Sequence, residues 1–64
     1  MNKQLKMARI DAELTQKQLA ERVGVTNKYL SQLECGVSRN PSKQVMERIA
    51  KELNKTVQEL FFNE

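Results

Sequence analysis

Histidine is missing from this sequence, and cysteine occurs once. Without imidazoles there is nothing from which to build a Cys/His zinc set, and the lone Cys35 cannot close an intramolecular disulfide. No positive-then-apolar signal segment opens the chain, and no apolar run approaches the roughly 18 residues of a transmembrane helix. The expectation is a soluble protein in a reducing, cytoplasmic setting, with no metal, no cofactor and no membrane partner. Catalysis has little to work with: no nucleophile stands beside a base and no glycine-rich phosphate loop is present, so an enzyme is not expected. Strand signals are nearly absent too, and no internal repeat or low-complexity tract stands out.

What is present is a short, modestly basic chain. Its 64 residues are expected to form one domain, near the size at which a single core is only marginally sufficient. The net charge is +3, but its distribution says more. Residues 1–45 hold eight Lys/Arg against four Asp/Glu, whereas residues 46–64 hold three against four. A basic excess confined to the first two-thirds favours a polyanionic partner.

Periodicity predicts an all-α fold of five short helices. Helix one covers about Lys3 to Ala12, with Leu5, Ala8 and Ala12 on one face. Leu14 then precedes Thr15 as a hydrophobic staple, and Thr15 with Gln18 forms a capping box that starts helix two. Leu19, Ala20 and Val23 make its buried stripe, and Gly24 ends it by taking positive φ without steric cost. Val25 is an apolar plug in the turn. Thr26 caps helix three, which runs to about Cys35 and is closed by Gly36. After the loop "GVSRNP", Ser42 caps helix four, about Lys43 to Leu53, with Val45, Met46, Ile49, Ala50 and Leu53 inward. Asn54 stops it, and Thr56 with Glu59 opens a last helix that turns Val57, Leu60 and Phe61 inward.

Helices two and three pose the functional question, because one continuous helix would be simpler to build than two joined by a glycine-ended turn. At 100° per residue, Leu30 and Leu33 lie on one side of helix three. The opposite arc carries Lys28, Gln32 and Cys35, flanked by Tyr29 and Ser31, and has no acid; Glu34 lies beside the inner face. Packing Ala20 against Leu30 and Leu33 would project that polar arc outward, ready for the roughly 12 Å wide DNA major groove. The break is thus read as the turn of a helix-turn-helix.

The stretch "TQKQLAERVGVTNKYLSQLECG", Thr15 to Gly36, resembles the helix-turn-helix of the phage repressor and Cro family, also called the XRE family. Gln16, Leu19, Ala20, Gly24, Leu30 and Leu33 carry the likeness, which extends through "NPSKQVMERIAKELN" and "TVQELF" to cover about Leu5 to Phe61. The resemblance implies a compact five-helix bundle of the lambda-repressor-like DNA-binding domain type, in agreement with the helix count. Two positions depart from the family: Glu13 stands where many members have glycine, so the end of helix one is expected to differ in shape. Cys35 stands where members often have Asn or Arg.

Base contacts are expected from Asn27, Lys28 and Gln32, since Asn and Gln can pair bidentately with adenine and Lys can donate to guanine. Gln16, at the start of helix two, is a phosphate candidate by resemblance and by its helix N-terminus. Tyr29, Ser31, Arg39, Asn40 and Lys43 complete the expected backbone contacts. The resemblance also implies a partly buried pair between Arg9 and Glu34. The bland alternative for each is ordinary solvated surface, and for Cys35 a merely tolerated thiol is the better reading than a redox sensor. The expected function is a sequence-specific DNA-binding transcriptional regulator acting as a repressor. It would bind a palindromic operator in double-stranded DNA as a homodimer, with Phe62 at the self-contact. The rival is an antitoxin or protein-docking helical module.

Overall fold

The computed structural model of the chain describes residues 2–36 and 41–62. Five helices follow in order: α1 (Lys3–Asp11), α2 (Gln16–Val23), α3 (Asn27–Cys35), α4 (Lys43–Leu53) and α5 (Val57–Phe61). Each begins at a side chain that accepts from a free backbone N–H two or three residues into the helix, the usual remedy for the unpaired donors of a helix start. Asn2, Thr15, Thr26, Ser42 and Thr56 are those caps. In two of them the third helical residue reciprocates. Thr15 N–H donates to Gln18 Oε1 at 2.9 Å, and Thr56 N–H donates to Glu59 Oε1 at 2.8 Å. The Thr56 backbone and hydroxyl donors together hold the Glu59 carboxyl below the usual carboxylate range, helped by nearby Lys55.

Apolar side chains from all five helices meet in one core. Leu5, Leu19, Leu30 and Ile49 are fully buried, each contributing roughly 2 kcal/mol by its removal from water. Ala8, Ala20, Val23, Leu33, Ala50, Leu53 and Leu60 fill the space between them, with Leu14, Val25, Tyr29, Val45, Val57 and Phe61 packed around the edge. Two expected core positions differ: Met46 is only half-buried and does not join the packed core, and Ala12 is exposed. The helix ends at Asp11, and the chain turns away at Ala12 before the periodicity could bring its methyl inward. Glu13 then adopts φ 60°, the left-handed conformation that glycine favours, so the family departure at this position is taken up as backbone strain.

A repeat that the letters do not show is present in the backbone. The α2–α3 corner and the α4–α5 corner, thirty positions apart, share one construction. Leu19, Ala20, Val23 and Leu30 are buried in the first; Ile49, Ala50, Leu53 and Leu60 are buried at the equivalent places in the second. Both leading helices end in a left-handed residue, Gly24 at φ 90° and Asn54 at φ 57°. Beyond it, the N–H of Val25 donates to the Ala20 carbonyl at 3.0 Å and that of Lys55 to the Ala50 carbonyl at 2.9 Å. Thr26 and Thr56 then cap the second helices. Few identities link the two segments, which is why the repeat is visible in backbone and burial rather than in letters.

Candidate nucleic-acid interface

Three elements set the position of α3. From inside, Leu30 and Leu33 seat it in the core against α2. At the N-terminal corner, Gly24 lets the chain reverse: its missing side chain would meet only Arg48 Nη1, at 3.7 Å, so the need for glycine there is conformational, not spatial. That same Arg48 guanidinium, from α4, donates to the Val23 carbonyl at 3.4 Å, close to the negative end of α2.

The third element is a buried polar clamp. Glu34 is 3% exposed and its carboxylate accepts from Arg9 Nε at 2.7 Å and from Arg9 Nη2 at 3.2 Å, a bidentate charge-assisted pair. The remaining Arg9 nitrogen, Nη1, donates to the Leu14 carbonyl at 2.8 Å, and Gln16 Nε2 donates to Glu34 Oε1 at 3.0 Å. A buried carboxylate without such partners would be costly. Here α1 and α2 both hold one residue of α3, the α1–α2 connection steadies the Arg9 that does so, and no buried side-chain N or O among the described residues lacks a hydrogen-bond partner. The Asn2 N–H adds a bond to the Glu34 carbonyl at 3.0 Å.

With its only acid turned inward and neutralised, α3 presents a cationic, hydrogen-bonding exterior. Asn27, Lys28 and Cys35 are exposed; Ser31, Gln32 and Tyr29 are half-buried, Tyr29 packing against the core. An array of one ammonium, amides and a hydroxyl on a rigid helix can donate to and accept from base edges, and it repels no phosphate. Gln16 stands at the first turn of α2 with part of its amide committed to Glu34, which fixes the side chain while leaving donor capacity. Lys43 is exposed at the first turn of α4, and Arg39 and Asn40 lie outside the described residues. Phe62 is 62% exposed just after α5. Sequence reasoning missed Arg48, whose contact joins positions 25 apart, and the Gln16–Glu34 bond; it also passed over Asn2, a capping residue type directly before Lys3. Among the described residues, no group of three or more His, Cys, Asp or Glu is gathered to hold a metal, and no helix is long and apolar enough to cross a membrane.

Residues 5–60 match a family model described as Helix-turn-helix. The chain belongs to the helix-turn-helix family. This helix-turn-helix chain is 44% identical over 57 residues to an uncharacterized HTH-type transcriptional regulator of Mycobacterium tuberculosis, strain CDC 1551 / Oshkosh. It is equally identical to one from strain ATCC 25618 / H37Rv. The matched segment is 89% of this chain and 40% of each of those relatives. Among solved structures, it resembles the N-terminal DNA binding domain of SinR from Bacillus subtilis with a TM-score of 0.87 and 32% identity, over 98% of this chain and 90% of that one. A crystal structure of SinR, the master regulator for biofilm formation, in complex with DNA gives a TM-score of 0.85 at 32% identity, covering 92% and 94%.

Proposed function

We propose that this helix-turn-helix chain binds double-stranded DNA in a sequence-dependent way and acts in the cytoplasm as a transcriptional regulator, a repressor, without a cofactor or catalysis of its own. The carrying observation is the outward face of α3, polar, cationic and acid-free because its one carboxylate is clamped inside. The relatives named as transcriptional regulators and the neighbour solved with DNA support the same reading.

In this reading α3 enters the major groove, as the second helix of the phage-repressor helix-turn-helix does. Asn27, Lys28 and Gln32 address base edges. Gln16, Tyr29, Ser31 and Lys43 hold phosphate and sugar, and Arg39 and Asn40 are proposed to do the same. One such helix reads too few base pairs for useful selectivity, so two copies occupy a palindromic site with half-sites about 34 Å apart, meeting near Phe62.

The test separates reading from holding. After a preferred site is selected from random DNA at fixed salt, Gln32→Ala should lower affinity for it by roughly 1 to 3 kcal/mol and leave random DNA almost unaffected. Lys43→Ala should weaken binding to every sequence alike and flatten the slope of log K against log salt by about one unit. Equal losses for both variants on both DNAs would remove α3 as a reading surface and favour the protein-docking module. One chain per site at saturation would remove the dimer.

A further inference from the structure

The outward side of α1 takes no part in the interface above, and it carries two of the three exposed large hydrophobics among the described residues, Met7 (59% exposed) and Ile10 (53% exposed). Met7 overhangs a shallow groove of about 170 Å³ between α1 and α5, with Ala8 and Leu60 in its lining and Gln4, Asp11, Lys55 and Glu59 around them. Lys3, Met7 and Asp11 are spaced at i, i+4 and i+8, so they form one ridge along the helix.

The charge on that ridge is antisymmetric about its centre. Lys3 lies four positions before Met7 and Asp11 four positions after it, and all three are exposed. A two-fold axis through Met7 that sets α1 against another α1, antiparallel, therefore places each Lys3 opposite an Asp11 of the other copy. Residue 7 + k faces residue 7 − k, as an isologous contact requires. The ridge is only about 12 Å from Lys3 to Asp11 at 1.5 Å per residue, short enough for both charge pairs to reach even where the helices cross obliquely. The two Met7 thioethers then meet at the axis, a role that suits their flexibility.

We infer that the exposed ridge Lys3–Met7–Asp11 of α1 is a self-association surface, whose partner is a second copy of this chain docked antiparallel with Met7 at the two-fold axis. The surface is small, so the association is weak and concentration-dependent. It is independent of DNA, and its failure would leave the DNA-binding reading untouched.

Sedimentation equilibrium of the chain without DNA, from micromolar to millimolar concentration, tests it. The wild type should follow a monomer–dimer equilibrium. Lys3→Asp and Asp11→Lys each turn two attractive contacts into two repulsive ones and should weaken association by about tenfold or more. Neither threatens folding, since an acid at the start of α1 and a base at its end both suit the helix dipole. An equimolar mixture of the two variants restores opposite charges at both contacts and should dimerise again, as should the double exchange Lys3→Asp/Asp11→Lys. Met7→Ser should weaken all of these, while Phe62→Ser, at the contact proposed between copies on the operator, should leave this DNA-free equilibrium unchanged. A wild type that stays monomeric throughout, a mixture that fails to associate, or a loss confined to Phe62→Ser would overturn the inference.

Discussion

The two corners of the molecule are built alike and present very different helices. Each ends a helix in a left-handed residue, returns an N–H to an alanine carbonyl, and restarts on a threonine cap. Yet α3 is nine residues long with an acid-free exterior, while α5 has five residues and displays Gln58 and Glu59. The corners even touch through equivalent positions, Arg22 to Glu52 at 3.8 Å, an exposed pair that adds little to stability. The corner is therefore a general device for reversing the chain. What singles out α3 is the clamp of Arg9 and Gln16 on Glu34, and the polar surface that this inward commitment leaves behind.

The largest test of that contrast removes the clamp. Glu34→Ala or Arg9→Ala should cost on the order of 3 kcal/mol in urea unfolding, since the remaining charge is stranded in a buried site. A loss under about 0.5 kcal/mol would mean that the corner alone holds α3.

A smaller effect separates the two left-handed residues. Gly24→Ala should cost about 1 to 2 kcal/mol, through backbone strain alone, because the added methyl meets nothing closer than 3.7 Å. Asn54→Gly should be nearly neutral, as asparagine and glycine both accept the conformation. Equal losses at the two sites, measured by thermal unfolding, would show that the corners are not equivalent devices.

The smallest effect is the pH dependence of the second corner. Glu59 has its carboxyl lowered in the folded state, so its contribution is complete above the unfolded value of about 4.3 and fades as pH falls through the lower folded value. Thr56→Ala takes away the hydroxyl and weakens the box, so Glu59 should titrate closer to its ordinary range in an NMR titration. Unchanged titration would leave the Thr56 backbone N–H, which the substitution keeps, as the cause.

Local rules made most of this fold legible. Caps announce themselves three residues ahead of their partners, as at Thr15 and Gln18, and the leucine stripes of α2 and α3 follow the helical period. Ala12 was misplaced because the period was carried one residue past the point where the chain turns. The outward arc of α3 was legible by the same arithmetic, although the half-burial of Ser31 and Gln32 was not. Burial there depends on neighbouring elements that spacing along one helix does not describe. Arg48 at the α2 terminus was hidden for the same reason: nothing near position 48 points to position 23.

Separation along the chain also divides the contacts into early and late ones. Each corner closes over a few residues, whereas the Arg9–Glu34 contact must bring together positions 25 apart. Loop-closure entropy makes such a contact slower to reach, by about 0.6 kcal/mol for each doubling of the loop. The pair spans only the α2–α3 corner, and where that corner closes before it, its energy enters mainly the barrier to opening and not the barrier to assembly. Arg9 and Glu34 then act as a latch on a finished corner: they do little to hasten its formation and much to prolong its lifetime.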